Sequence, residues 1–407
     1  MSRALLMVGG GVQAVPGIRM AKDMGLFVAV SDRNPDAPGF QYADAQLIAD
    51  TYSIEQTTAE AVKFHTQVRA LNGVMCMATD VPHTVASVAE ALGLPTIGSK
   101  TAGLAINKLA MKQKFRQDGV AIPWFGEVQS ADHLKSMVAE RGLPLVIKPI
   151  DSRGSRGVFR LTSSTDLDWA FAASQEQSPT GRVMAEAYMS GPQVSTESVV
   201  VDGVAYTPGF SDRNYELLDT YAPYMIENGG DLPSFLDAGA QRAICTVVQD
   251  AAESLGVHNG IVKGDMVFSD GKAYVIELAA RLSGGFFCTH EIPLNTGVST
   301  VEAAIKLAMG DTVDPEDLKP KFQRPVVQRY LFPTPGRVTS ISGVEDAAAV
   351  DGVEFVDCWV KPGDDIIRPV NSGCTAAVVI AVGDTHAQAL ARTQHALSLI
   401  HVETTTP

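Results

Sequence analysis

No apolar run in the 407-residue sequence approaches the roughly 20 residues needed to span a bilayer, so no membrane partner is expected. No block of lysine and arginine occurs either. Basic residues number 32 against 46 acidic ones, a formal net charge of -14. A nucleic-acid partner would need a basic face, and that role is set aside. Cysteine is sparse: Cys76, Cys245, Cys288, Cys358 and Cys374 are scattered, odd in number and without metal-ligand spacing. This excludes a disulfide framework and fits a reducing cytoplasm. The opening MSRALLMVGGGVQ runs into a glycine turn and lacks a cleavable-signal pattern. Internal repeats and low-complexity tracts are missing too. What remains is an ordinary globular mixture, 45% hydrophobic and 19% charged, with chain enough for about two or three domains.

The first hundred residues alternate strand and helix. The runs at 4–8, 26–32 and 73–80 read as strands, separated by helical stretches that include 84–93. That order predicts a parallel sheet with helices on its faces, an α/β unit. A loop at 98–101 and a single helix over 103–118 follow. The style then changes to strands with glycine and proline punctuation at 143–149, 158–162, 182–191 and 194–210. A helix is expected over 237–255. Residues 260–278 read as two strands joined by a Ser-Asp-Gly turn. A helix over 299–309, turn-rich residues 311–325, short strands and a helix over 384–400 complete an α+β remainder.

The hairpin carries chemistry. Asp265 and Glu277 stand 12 positions apart on antiparallel strands closed by a tight turn, so they can lie side by side. Two adjacent carboxylates repel unless a cation separates them. Mg²⁺ takes one or two carboxylates together with waters and phosphate oxygens. Arg281 follows Glu277 closely enough to clamp the same anion. Read alone, the pair is equally well a surface hairpin with an ion pair. The loop 150–157 adds weight to the first reading. Gly154 and Gly157 let the backbone approach a ligand, Ser155 offers a hydroxyl, and Arg153 and Arg156 add positive charge. Lys148 ends an apolar strand just before that loop and needs an anion to justify burial.

The order Lys108, VIKP around Lys148, GSRGV at 154–158, AEAYMSGP at 185–192 and Asp265 with Glu277-x-x-x-Arg281 resembles the ATP-grasp superfamily over roughly residues 1–325. The tail, with PTPGRV, VKPGDDI and AQALARTQHAL, more loosely resembles the L-amino-acid ligase (dipeptide-forming) branch. The resemblance implies a Rossmann-like domain over 1–103 and an ATP-grasp lid with its linking helix over 104–192. A metal-bearing ATP-grasp subdomain over 193–325 and a small α+β subdomain over 326–407 would follow. It further implies that Lys108 and Lys148 touch ATP, and that Gly154, Ser155, Arg156 and Gly157 close over its triphosphate. Glu186, Ala187, Tyr188 and Met189 would form the strand that hydrogen-bonds adenine, with Gln193 or Glu197 near the ribose. Asp265 and Glu277 would hold Mg²⁺, or Mn²⁺ in its place. Arg281 would steady an acyl-phosphate, and the amides of Ser283, Gly284 and Gly285 would receive an oxyanion. The family pattern departs at one place: Ala279 stands where an asparagine ligand is usual.

The activity so implied is a carboxylate–amine ligase acting on small molecules, amino acids foremost, in a homodimer if the common soluble state applies. Two alternatives stay open. One is a bicarbonate-activating carboxylase, although no biotin-attachment Met-Lys-Met occurs. The other is a dinucleotide-dependent oxidoreductase, since GGGVQA at 9–14 and Asp32 match a Gly-x-Gly-x-x-Ala fingerprint. Asp80, Arg213, His290 and Glu291 are read mainly as structural or solvent-facing, as are the helix lysines around Lys108.

Overall fold

A computed structural model describes residues 2–405 of the chain. The N-terminal sheet is parallel, in the spatial order Ala45–Ile48, Phe27–Asp32, Ala4–Val8, Gly73–Met75. The strand Ala4–Val8 is buried throughout, as a strand covered on both faces by helices must be. After it the glycine turn is tied internally. Gly10 N donates to Asp32 Oδ2 at 2.8 Å, and Asn34 N donates to Asp32 Oδ1 at 2.9 Å. Asp32, the acid of the dinucleotide reading, is thus spent on its own turn.

The expected single helix over 103–118 is two helices, Ser99–Ile106 and Lys108–Asp118. Asn107 leaves the helical region (φ -115°, ψ 98°), and its side chain caps the second helix by accepting from Ala110 N at 3.0 Å. Asparagine competes well for that role, which is why the helix restarts there. The expected loop at 98–101 is mostly the first turn of the earlier helix.

A small antiparallel sheet follows, in the order Phe125–Val128, Val183–Ala187, Leu145–Pro149, Phe159–Leu161. Helices Ala131–Arg141 and Leu167–Glu176, unassigned from sequence, cover it. Leu134, Ile147, Leu161 and Ala170 form their shared core.

The main sheet has eight antiparallel strands: Lys272–Ala279, Gly260–Ser269, Gln193–Val201, Val204–Arg213, Gly230–Leu232, Val326–Leu331, Ala377–Val382 and Val353–Cys358. The glycine-punctuated strand segment expected over 194–210 is a hairpin of two strands. It turns at Asp202-Gly203, with φ of +49° and +83°, the left-handed pair a tight hairpin demands. The helix Ala238–Leu255 buries Ile244, Val248, Ala251 and Leu255 against Val262, Val275 and Leu278. The C-terminal strands continue this sheet, and a three-stranded sheet and the helix His386–Leu399 finish the chain. One apolar core joins Met7, Ile18 and Val30 of the first sheet to Ile261, Leu282, Val301 and Ile305. Among the described residues no helix is long and apolar enough to cross a membrane.

Candidate functional site

A cavity of about 370 Å³ lies between the small antiparallel sheet and the eight-stranded one. Every residue singled out from the sequence for the site lines it except Gly157 and Glu197.

Gly157 packs behind the loop. At φ +71°, an added Cβ would meet Gln177 Cβ at 2.8 Å and Pro149 Cγ at 2.9 Å. Gly157→Ala combines left-handed strain with that clash and is expected to cost about 1–3 kcal/mol. The check is the denaturation midpoint, which is expected to fall. Glu197 is also withdrawn from the cavity. It is fully buried and accepts from Ser283 N at 2.7 Å and Thr300 Oγ1 at 2.8 Å. It anchors the loop after Arg281.

That loop corrects a second expectation. Ser283 N is taken by Glu197, and Gly285 N donates to Gln13 Oε1 at 2.9 Å. Two of the three amides proposed for an oxyanion are thus already satisfied within the protein. Arg281 retains a free edge. Its Nε donates to Asp80 Oδ1 at 3.1 Å and its Nη1 to Leu282 O at 3.0 Å, which leaves Nη2 without a protein partner among the described residues.

On the opposite wall Lys148 and Lys112 grip one carboxylate, that of Glu186. Lys148 Nζ hydrogen-bonds Oε1, and Lys112 Nζ stands 2.8 Å from Oε2, an ion pair by distance that lacks hydrogen-bond angles. All three side chains are almost fully buried. Burial alone would push the Glu186 carboxyl up, but Lys112 and Lys148 outweigh it and hold the group below the usual carboxylate range. Burial also pushes the Lys112 ammonium down, opposed by Glu186. The sequence reading passed over Lys112. Its one local signal is its place one helical turn after Lys108. Just after Glu186, Ala187 N donates to Trp124 O at 2.9 Å and Tyr188 N to Pro144 O at 3.4 Å.

Asp265 and Glu277 are direct cross-strand partners, with a bulge immediately after Asp265. Arg213 Nη1 donates to Asp265 at 2.8 Å and Nη2 to Glu227 at 2.5 Å, while Lys263 also pairs with Asp265. Burial pushes the Asp265 carboxyl up, yet Arg213 and Lys263 reverse this and hold it far below the usual range. Lys108 Nζ lies 3.3 Å from Glu277 and donates to Ser152 O at 2.6 Å. Arg213, read as solvent-facing, is therefore a hub of the site. Its partners are 14 and 52 positions away in sequence, so no local pattern marks it.

The two cross-strand acids suit Mg²⁺ that keeps waters and phosphate oxygens as its other ligands. Ala279 is buried and contributes no donor side chain. No group of three or more His, Cys, Asp or Glu with metal-site geometry occurs among the described residues. His290 packs its ring on Phe355 at 4.2 Å and on Phe286 at 5.6 Å, and does not line the cavity. Glu291 does line it. The C-terminal segment reaches the glycine loop, where Ser372 Oγ donates to Ser155 Oγ at 3.2 Å.

Comparison with known proteins follows the same division. Residues 105–285 match the ATP-grasp domain, and residues 329–405 match the L-amino acid ligase C-terminal domain 2. An uncharacterised protein, y4rH, of Sinorhizobium fredii is 26% identical over 339 residues, spanning 81% of this chain and 67% of that protein. The D-alanine–D-alanine ligase of Cupriavidus taiwanensis is 26% identical over 317 residues, 75% of this chain and 90% of that one. The L-amino acid ligase from Bacillus licheniformis superimposes with a TM-score of 0.83 at 19% identity, covering 100% of this chain and 99% of the other. The chain thus carries an ATP-grasp domain followed by an L-amino acid ligase C-terminal domain 2, and is similar in sequence and fold to ATP-grasp ligases.

Proposed function

We propose that the protein is an ATP- and Mg²⁺-dependent ligase that joins a carboxylate to an amine, with amino acids as substrates, through an acyl-phosphate. The observation that carries this reading is the single cavity in which Lys148, the loop 152–156, Arg281 and the Asp265–Glu277 pair all face inward. One wall is cationic and suits a triphosphate. The other holds paired acids and suits a metal on the same phosphates.

In this reading Met189 N, which has no protein hydrogen bond among the described residues, serves adenine. Glu186 acts by bracing Lys148. The amides around Gly154 and Ser155 wrap the phosphates. Asp265 and Glu277 would hold Mg²⁺, which neutralises charge on the phosphate oxygens when bound. An oxygen of the substrate carboxylate attacks the γ-phosphorus, and ADP leaves. The neutral amine nitrogen then attacks the acyl carbon, a C–N bond forms, the C–O bond to phosphate breaks, and phosphate leaves with that electron pair and takes up the proton the nitrogen gives away. Arg281 Nη2 points the remaining positive edge at the oxyanion of that step. Asp80 keeps the guanidinium in place from behind.

The experiment is a phosphate-release assay with amino acids offered singly and in pairs, with the products weighed by mass spectrometry. Amine-dependent ADP formation together with an amide product is the expected result. ATP hydrolysis stimulated by bicarbonate alone, with no amide, overturns the reading in favour of a carboxylase-type activity.

A further inference from the structure

Six carboxylates line the cavity: Asp80, Glu186, Glu227, Asp265, Glu277 and Glu291. Five have a cation at ion-pair distance. Asp80 faces Arg281, Glu186 faces Lys112 and Lys148, Glu227 and Asp265 share Arg213, and Glu277 faces Lys108. Glu291 has none among the described residues. Its one hydrogen bond comes from Ser211 Oγ at a long 3.3 Å. Yet its side chain belongs to a residue only 2% exposed. A buried carboxyl in such a place costs free energy unless a partner arrives.

The surroundings offer acceptors and no free cation. Glu227 and Asp231 face Glu291 from the residues before and within the strand Gly230–Leu232. Arg329 and Tyr330 face it from Val326–Leu331, and Ser211 from Val204–Arg213. Arg329 is spent on Asp231 in a bidentate pair at 2.9 and 3.1 Å, and His386 also closes on Asp231 at 2.7 Å. Beside the carboxylate the wall is Gly230, where an added Cβ would come within 3.4 Å of Glu291 Oε2. That spot is filled, since the same Cβ would meet Ser211 Oγ at 2.2 Å, and the open side of Glu291 is the cavity of about 370 Å³ that it lines.

We propose that Glu291 is the seat for the ammonium group of an amino-acid substrate, and that it thereby selects substrates carrying a free amine. The inference rests on the ligase reading above. A cation brought by the ligand completes the one unpaired acid of the cavity. A metal ion is a poorer occupant, since no third acid, histidine or cysteine converges with Glu291 in metal-site geometry. Burial pushes the Glu291 carboxyl up to about 8. Below that pH the arriving ammonium must displace a proton. Amino-acid affinity should therefore rise with pH up to about 8, then fall where the amine itself loses its proton.

The test compares wild type with Glu291→Gln and Glu291→Asp, each with Mg-ADP present. Titrations use L-alanine, L-leucine and L-glutamate beside propionate, isocaproate and glutarate, which lack the amine. Wild type is expected to prefer the amino acid, and Glu291→Gln to lose that preference through about 10- to 100-fold weaker amino-acid binding. Binding of the amine-free acids stays level. In turnover, KM for one amino acid rises by the same factor, KM for ATP does not move, and Glu291→Asp recovers part of the loss. The amino acid whose KM moves is the one seated there. A purely structural Glu291 would shift the melting temperature and leave the preference intact, and that result overturns the proposal. So does a wild-type protein that binds none of the amino acids. If wild type binds them with a preference that Glu291→Gln removes, yet forms no amide, the ligase reading fails and the ammonium seat stands.

Discussion

Glu186→Ala is expected to destabilise the protein by about 3–5 kcal/mol, because it strands two buried ammonium groups on one spot. Lys112 and Lys148 both take their countercharge from this carboxylate, and all three side chains are almost excluded from water. Removing the acid leaves Lys112 with desolvation and the repulsion of Lys148, opposed only by the more distant charge of Glu277. The denaturation midpoint reports the loss. A double-mutant cycle isolates the mechanism. Adding Lys112→Met to Glu186→Ala removes a stranded charge and should restore part of the stability, with a coupling of about 0.5–3 kcal/mol. Strict additivity would sink the account. The acid limb gives a second reading. Glu186 is held below its unfolded value, so its stabilising share is present above about pH 4.3 and fades as the pH falls through the folded value. Glu186→Ala should flatten that part of the pH–stability curve. The functional consequence follows from Lys148 alone, since it lines the cavity while Lys112 stands behind it. Without its brace Lys148 loses its fixed position, and KM for ATP should rise.

What could be read from the sequence was local. The apolar runs at 4–8 and 27–32 announce strands because both of their faces are buried. The hairpin itself follows from a two-residue turn, Asp270-Gly271, with left-handed φ at both positions, but that turn alone would set Asp265 opposite Ile276, and only the bulge after Asp265 brings Glu277 into register. The glycine loop and Lys148 were visible as oddities, a charge closing an apolar strand. What escaped was set by long-range pairing. Arg213 becomes a hub only when the strand Val204–Arg213 is laid near Gly260–Ser269, with Gln193–Val201 between them. The resemblance puts Glu197 near the ribose, yet two residues beyond the cavity-lining Ser195 it is withdrawn beneath the loop and accepts from Ser283 N. Two of the three amides expected at an oxyanion are taken within the protein for a related reason. A glycine loop inside a protein satisfies its own donors where it can, and Gln13, from a domain distant in sequence, supplies the acceptor. The break at Asn107 was legible in principle, since asparagine before a lysine-rich turn is a capping signal, but it was overridden by unbroken helical periodicity on both sides.

Glu277→Gln is expected to lower kcat by about 10²–10³ while leaving the fold nearly as stable as before. Glutamine keeps the shape of the side chain and drops the charge that, with Asp265, would hold Mg²⁺. Lys108 loses an ion partner at 3.3 Å but keeps its hydrogen bond to Ser152 O, so little structure is at stake. Asp265→Asn separates from it in a measurable way. That carboxylate neutralises both Arg213 and Lys263 and is held far below its unfolded value, so its stabilising share is present above about pH 4 and is lost on acidification. Asparagine there should cost on the order of 3 kcal/mol at neutral pH as well as activity, and the deficit should shrink toward low pH. Both substitutions should raise the Mg²⁺ concentration needed for half-maximal rate, because Ala279 offers no ligand in reserve. The decisive comparison is thus one between two neighbours on adjacent strands. A Glu277→Gln enzyme with wild-type kcat and an unchanged Mg²⁺ requirement would remove the metal from between them, and with it the reason two acids face each other in a cavity already crowded with lysine and arginine.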